Sequence, residues 1–196
     1  MIDDDVSVRE GLATLIESVG LAVQSFGSAQ EFLVAKPTEP KGCVVLDVNM
    51  PGMNGLDLQR ELNATGIPLP VIFLTGHGDI PMTVQALKAG AAHFLTKPVR
   101  EDELVAAIRQ ALEADRKVRL ERAATVELRE RFDSLSPRER QVMLLVVSGR
   151  PNKVIAHELG TSERTIKLHR GQVMRKMRAD SLADLVKQAE KIGPLG

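Results

Sequence analysis

Five polar residues of the first 100 stand at the end of a short apolar run or directly after one: Asp3, Asp4, Asp47, Thr75 and Lys97. The carboxyl ends of parallel strands meet at one edge of a sheet, so we expect these side chains to surround one crevice. Three clustered carboxylates are costly unless a hard cation binds them, and oxygen ligands suit Mg²⁺. A carboxylate can also attack phosphorus to form an acyl phosphate. A lysine and Mg²⁺ would neutralise its oxygens, and the threonine hydroxyl would donate a hydrogen bond.

Each of these residues, taken alone, has a more common structural role. An aspartate after a strand often caps a helix or a turn, and Lys-Pro is a frequent turn sequence. Asp5 fits this description, because it precedes a helix that we expect to begin near Ser7. The interpretation as a site therefore depends on five such residues occurring together at successive strand ends.

Strand and helix patterns alternate through residues 1–110. The strand-like runs are LAVQSF, GCVVLD, PVIFLT and AHFL. The helical segments are SVREGLATLIESVG, the segment that follows the Ser28–Glu31 capping box, GLDLQRELNAT and IPMTVQALKAG. This alternation predicts an α/β fold with a doubly wound parallel sheet.

One long helix, over about Glu101–Phe132, lacks internal glycine and proline and leads into a second domain. We interpret it as a domain helix that continues into a solvated, charged spacer, with a two-chain coiled coil as the alternative. Residues 135–191 contain four shorter helical patterns, with helix starts at Ser136–Pro137 and Ser162. We therefore expect an α/β domain at 1–110, a helical linker at 111–133 and an all-α helix-turn-helix domain at 134–196.

Charge is distributed unevenly along the chain. Residues 1–110 contain 8 basic and 14 acidic residues, a net charge of −6, whereas residues 134–196 contain 12 and 6, a net charge of +6. The basic domain is a candidate for nucleic-acid binding, and the lack of Trp and Tyr favours duplex DNA over single strands. The sequence has no long apolar run or leader, so we expect a cytoplasmic protein without membrane contact. Cys43 is expected to be a buried core thiol.

The segment TSERTIKLHRGQVMRKM divides into two faces when placed on a helix. One face is mostly apolar and is expected to face the core: Ile166, His169, Arg170, Val173 and Met177. The other face carries basic and small residues together with one leucine: Arg164, Lys167, Leu168, Gly171 and Arg175. Such a helix suits a DNA major groove, where Leu168 would contact a thymine methyl group. A solvated basic face without DNA binding is the alternative.

Residues 2–110 resemble the receiver domain of bacterial two-component response regulators, through the segments DDD, VVLDVNMPGMNG, VIFLTGHGDIPMTVQALKAG and FLTKP. The resemblance implies that Asp47 accepts a phosphoryl group from a sensor histidine kinase. It also implies a Mg²⁺ ion ligated by Asp4, Asp47 and the backbone carbonyl of Asn49, with Asp3 binding through water.

The same resemblance assigns roles near the last two strands. Thr75 and Phe94 match the pair that rearranges on phosphorylation, and Lys97–Pro98 matches the family's lysine with its typically cis peptide bond. Receiver domains also have a central first strand, whereas only Met1 and Ile2 precede the acidic residues here. The first strand of the expected flavodoxin-like sheet is thus largely missing, which implies a start upstream of Met1 or a compromised receiver.

Residues 135–178 resemble the LuxR-type helix-turn-helix of transcription regulators, through LSPRERQVMLLVVSGRPNKVIAHELGTSERTIKLHRGQVMRKM. The resemblance makes Lys153, Thr165 and His169 plausible phosphate contacts. Gly171 departs from the pattern, since many relatives place a larger polar residue there to read bases. The last helix is expected to pack on the core, to form a dimer face, or both.

Together the two halves resemble the NarL/FixJ class of response regulators, and in particular its FixJ- and StyR-like members. The resemblance implies that the phosphorylated chain forms a homodimer, which binds double-stranded promoter DNA and acts with RNA polymerase. It also implies that the chain turns over no external substrate. A DNA-binding regulator whose degenerate receiver serves only as a protein-interaction module is the alternative. A hydrolase of external phosphate esters is disfavoured, because the short loops offer no deep substrate pocket.

Overall fold

The computed structural model describes residues 1–35, 41–67, 69–76, 84 and 86–193. The chain divides into two compact units, Met1–Val118 and Arg119–Gly196. The segment predicted as a linker, 111–133, is therefore shared between the two units.

The first unit is built on a parallel sheet of β1 (Val44–Asp47), β2 (Val71–Thr75) and β3 (His93–Thr96), in the order β1-β2-β3. The register aligns Asp47 with Leu74 and Thr75 with Thr96, so the three strands end at the same edge. Every residue of β1 and β2 is buried, as expected for strands that are covered on both faces.

The helices around this sheet whose full range the structure describes are α1 (Val6–Ser18), α2 (Ala29–Val34), α3 (Gly55–Ala64) and the first part of α4 (Glu101–Asp133). Asp5 caps α1, as predicted, by accepting the N–H groups of the two residues at positions 7 and 8. Side chains alternate across the strands, so Leu46 and Phe73 lie in one apolar cluster and Val45 and Ile72 in another. The predicted doubly wound α/β fold is confirmed.

Ile2 takes the position of the first strand, although it forms only isolated parallel bridges to Phe26 and Leu46. The Ile2 N–H donates to the carbonyl of Val45 at 2.8 Å, and the Ile2 carbonyl accepts the N–H of Asp47 at 2.9 Å. The first strand is as short as the sequence predicts, yet its backbone still joins the two neighbouring segments. This pairing fixes the acidic residues next to the end of β1.

The strand predicted over residues 21–26 is wrong, because Phe26 is the one residue of that segment in a bridge. Alternating polarity is a local property, whereas a strand needs a backbone alongside it. Within the described chain, the extended backbone that pairs with this segment is residues 1–3. The helix predicted over residues 80–90 falls largely outside the described residues, and Val84 and residues 86–88 within it are helical.

A cavity of about 500 Å³ lies beside Met1 in the first unit. Apolar side chains of α1 and α4 line it, among them Ile16, Ile108 and Leu112. Cys43 also lines the cavity and is half-buried, rather than fully buried as predicted. Burial raises the pKa of its thiol to about 11, which keeps the thiol protonated near neutral pH.

The second unit contains α5 (Pro137–Val147), α6 (Asn152–Glu158), α7 (Glu163–Met177) and α8 (Leu182–Ile192). Ser136 precedes α5 and Pro137 begins it, as predicted, and the structure adds a complete capping box between Ser136 and Glu139. Leu128 and Phe132, near the end of α4, pack in the core of this unit, so the end of α4 is more than a solvated spacer. No strand occurs in its described residues, which confirms the all-α prediction. Across the described chain, no helix has both the length and the apolar character that a membrane crossing requires.

Candidate functional site

One lysine lies between two carboxylates at the carboxyl edge of the sheet. The Lys97 Nζ atom is 2.7 Å from Oδ2 of Asp3 and 3.0 Å from Oδ2 of Asp47. The Asp3 side chain is fully buried, whereas 20% of the Lys97 side chain is exposed. These contacts span 94 and 50 positions of sequence, so the parallel sheet brings the three residues together.

Backbone N–H groups and the Arg9 side chain hold the two aspartates in place. Oδ1 of Asp3 accepts the Asp5 N–H at 3.0 Å, and the Asp3 carbonyl accepts the Arg9 guanidinium at 2.6 Å. Oδ1 of Asp47, the last residue of β1, accepts the Asn49 N–H at 3.2 Å. Each carboxylate thus has one oxygen bonded to backbone and one facing Lys97.

The electrostatics of the site follow from burial and from this pairing. Burial raises the pKa of Asp3, and the hydrogen bond from Lys97 offsets that effect only in part. Burial also disfavours the charged form of Lys97, but the hydrogen bonds and charges of Asp3 and Asp47 outweigh it and raise the pKa of Lys97. Lys97 therefore stays positively charged near neutral pH.

Three carboxylates could hold a metal ion here. Asp3, Asp4 and Asp47 each offer an oxygen, and these oxygens lie within 4.8 Å of one another. Asp3 and Asp47 are buried and Asp4 is exposed, so the cluster opens to solvent on one side. Hard oxygen donors with room for water ligands fit Mg²⁺. Asn49, whose carbonyl the resemblance assigns to the metal, is exposed beside the cluster.

The residues predicted to respond to phosphorylation lie on the two strands next to Asp47. Thr75 ends β2 and is fully buried, and its carbonyl accepts the Lys97 N–H at 2.7 Å. Phe94 of β3 is half-buried, with its ring centroid 6.2 Å from that of Phe73. The Lys97–Pro98 peptide bond is cis, as the resemblance implies.

Sequence reasoning missed Gly55, the first residue of α3. A Cβ atom there would collide with the Asp47 carbonyl and would lie 3.1 Å from both the Val48 Cα and the Phe73 ring. A residue without a side chain is therefore needed where α3 approaches the end of β1. The available signal was its place at the end of the loop MPGMNG. Arg9 was also missed, and no local pattern marks it.

The helix predicted to bind DNA is α7. The Ser162 hydroxyl caps it by accepting the Thr165 N–H at 3.2 Å. Ile166, Val173 and Met177 are buried, as expected for the face toward the core. The opposite face is exposed along its whole length, through Arg164, Lys167, Leu168, Gly171 and Arg175.

The other predicted DNA contacts differ in their exposure. Lys153 on α6 is exposed, whereas Thr165 and His169 are half-buried. At Gly171, an added Cβ would meet nothing within 4 Å, so the departure from the family's pattern does not come from crowding. Position 171 is therefore open on the exposed face of α7, and the predicted contacts at 165 and 169 are only partly accessible.

Polar contacts fix α7 on its neighbours within the second unit. Nη1 of Arg170 donates to Oδ1 of Asn152 on α6 at 2.6 Å. Lys176 donates to Oε2 of Glu139 on α5 at 2.7 Å. Burial tends to raise the pKa of Glu139, but hydrogen bonds from Lys176 and Ser136 outweigh it and lower this pKa. Glu139 is therefore charged and paired near neutral pH.

Comparison with known protein families gives a match for each unit. The family described as response regulator receiver domain matches residues 1–109. The family described as bacterial regulatory proteins, luxR family, matches residues 133–189. Nodulation protein W of Bradyrhizobium diazoefficiens is 51% identical over 193 residues, which cover 98% of this chain and 85% of that protein.

Two solved structures are also similar over nearly the whole chain. The response regulator StyR has a TM-score of 0.88 at 48% identity, with 97% of this chain and 96% of that chain covered. Full-length FixJ from B. japonicum has a TM-score of 0.59 at 44% identity, with 100% and 96% covered. Both similarities include the sheet that carries Asp47 and the helices that carry the basic face.

Proposed function

Because the chain belongs to the response regulators, with a receiver domain followed by a LuxR-type DNA-binding domain, we propose that phosphorylation of Asp47 controls its binding to promoter DNA. A sensor histidine kinase supplies the phosphoryl group. The observation that carries this proposal is the position of Lys97, within 3.0 Å of both the proposed acceptor and the buried Asp3.

The chemistry is an in-line displacement at phosphorus. An oxygen of Asp47 attacks the phosphoryl group, the bond from phosphorus to the donor's nitrogen breaks, and an acyl phosphate forms. Lys97 can then pair with a phosphoryl oxygen in place of the carboxylate oxygen that it now contacts. Mg²⁺, held by Asp4, Asp47, the Asn49 carbonyl and, through water, Asp3, would supply further positive charge. Hydrolysis of the acyl phosphate resets the protein, so no external substrate is turned over.

Thr75 and Phe94 connect the acceptor to the rest of the first unit. Their rearrangement alters the face that includes β3 and the first half of α4, and this face then forms a homodimer or releases the DNA-binding domain. The homodimer binds an inverted-repeat duplex and positions RNA polymerase. Lys153, Thr165 and His169 contact phosphates, and Arg164, Lys167, Leu168 and Arg175 enter the major groove beside Gly171.

A second candidate function is a DNA-binding regulator whose first unit serves only as a protein-interaction module. This alternative requires an acidic pair that is too weakly anchored to hold a phosphoryl group. The bonds of Ile2 to both neighbouring segments and the ion pairs of Lys97 support the phosphorylated regulator instead.

Intact-mass spectrometry after incubation with Mg²⁺ and acetyl phosphate tests the proposal. We expect one phosphoryl adduct in the wild-type chain and none in Asp47→Ala. Asp57→Ala is the matched control, because Asp57 lies on α3 with its side chain 41% exposed in an ion pair with Arg60. An adduct that persists in Asp47→Ala, or a wild-type chain that remains unmodified at saturating Mg²⁺, would support the interaction module.

A further inference from the structure

The C-terminal end of α7 is held by the last turns of α4, within the second unit. Arg131 of α4 donates through Nη1 to the Met177 carbonyl at 3.4 Å and through Nη2 to Oε1 of Glu127 at 2.5 Å. Arg178, the residue after α7, donates to the same Glu127 oxygen at 3.4 Å. We call Glu127, Arg131 and Arg178 the α4–α7 clamp.

The α4–α7 clamp is poorly arranged for adding stability. Arg178 has a φ of 54° and a ψ of 39°, a left-handed conformation that is unfavourable for a residue with a Cβ atom. Nε of Arg131 is buried without a hydrogen-bond partner in the described part of the chain. The Glu127 and Arg178 side chains are 55% and 71% exposed, and ion pairs between such groups stabilise a fold only slightly.

The clamp does fix the direction of α7. Arg170 anchors the middle of α7 to Asn152 of α6, and the clamp anchors its end to α4. The exposed residues from Arg164 to Arg175 project from this single helix. Because a recognition helix reads bases only when several side chains reach the groove together, its angle decides how well it discriminates between sequences.

We propose that Glu127 and Arg131 are positioning residues for DNA recognition. They hold α7 at the angle at which its exposed face reads a duplex, and they do so from α4, outside the helix-turn-helix itself. The inference rests on the DNA-binding role of the second unit. It does not depend on phosphorylation of Asp47, because all variants are compared in the same phosphorylation state.

Two variants with opposite charge changes separate positioning from simple electrostatics. Glu127→Gln raises the net charge by one, and Arg131→Met lowers it by one. Electrostatic attraction to phosphates is independent of sequence, so charge alone would shift the affinity for all duplexes in opposite directions and leave their ratio unchanged. Positioning instead predicts that the ratio of specific to non-specific affinity falls in both variants, by about two- to thirtyfold.

The probes are a 20-base-pair duplex selected from a random library by the full wild-type chain and a shuffled duplex of the same composition. Glu130→Gln and Arg129→Met are matched controls, since both residues are exposed on α4 and give the same charge changes. Fluorescence anisotropy gives both affinities, and circular dichroism confirms equal helix content and melting temperature. A fall of the ratio in both clamp variants and in neither control is the expected result. An unchanged ratio in either clamp variant, or an equal fall in its control, overturns the proposal.

Discussion

Replacing Lys97 with methionine is expected to destabilise the first unit and to make its stability depend on Mg²⁺. Methionine is similar in length to lysine, but it leaves the buried Asp3 and Asp47 carboxylates without the ammonium group that lies 2.7 and 3.0 Å from them. Removing one partner of a buried ion pair costs about 3–5 kcal/mol. Because 20% of the Lys97 side chain is exposed, we expect the lower value, about 3 kcal/mol of unfolding free energy.

Mg²⁺ should restore most of this loss in the Lys97→Met variant. A ligand present at 100 times its dissociation constant stabilises the folded state by about 2.7 kcal/mol. The wild-type chain should gain less at the same Mg²⁺ concentration, because Lys97 already neutralises one oxygen of Asp47. The difference between the two Mg²⁺ responses measures the competition between the lysine and the metal.

Urea unfolding followed by far-UV circular dichroism measures these free energies, since the sequence has no Trp or Tyr for fluorescence. Hydrogen exchange of residues 71–75 assigns the transition to the first unit. Lys88→Met is the control, because Lys88 is exposed outside the crevice. Equal losses of stability in the two variants, or equal Mg²⁺ responses in wild type and Lys97→Met, would refute the reasoning.

Two further predictions concern the backbone near the site and the N-terminus. Gly55→Ala should lower the unfolding free energy by about 1–3 kcal/mol through overpacking against β1. Gly11→Ala, at an open position inside α1, should raise it by about 0.5–1 kcal/mol. Shifts of the urea midpoint in the same direction for both variants would contradict this. Burial lowers the pKa of the Met1 α-amino group to about 6. A chain that begins at Met1 with an unblocked amino group should therefore gain about 2 kcal/mol of stability as the pH rises from 6 to 8, because its unfolded state binds more protons in that window. An N-acetylated chain should lack this contribution, and identical pH slopes for the two chains would count against it.

Much of the fold could be predicted because its signals are local. The apolar runs ending at Asp47 and Thr75 marked strands that are buried on both faces, and the pair Ser136–Pro137 marked the start of α5. The strand predicted over 21–26 failed because alternation does not reveal whether a partner backbone lies alongside. The place of Lys97 between two aspartates followed from the rule that parallel strands end together.

Features that depend on distant backbone could not be read from the sequence. Glu127 and Arg131 show the spacing of a helical ion pair, but the third member of the clamp, Arg178, lies 51 positions from Glu127. Its left-handed conformation has no sequence signal, because glycine or asparagine is the usual residue there. Gly55 was missed for a related reason, since its close neighbour is the Asp47 carbonyl on another element.

The bridges of Ile2 make the acidic site sensitive to chain length more than to side-chain identity. Backbone atoms on both sides bind this residue, so another apolar side chain at position 2 leaves the hydrogen bonds unchanged. An insertion between Ile2 and Asp3 is different, because successive residues of an extended segment face opposite sides. It would move Asp3 from its buried position to the exposed position that Asp4 now holds. Tolerance to an apolar substitution at position 2 and intolerance to an inserted residue after it are thus properties of the same two bridges.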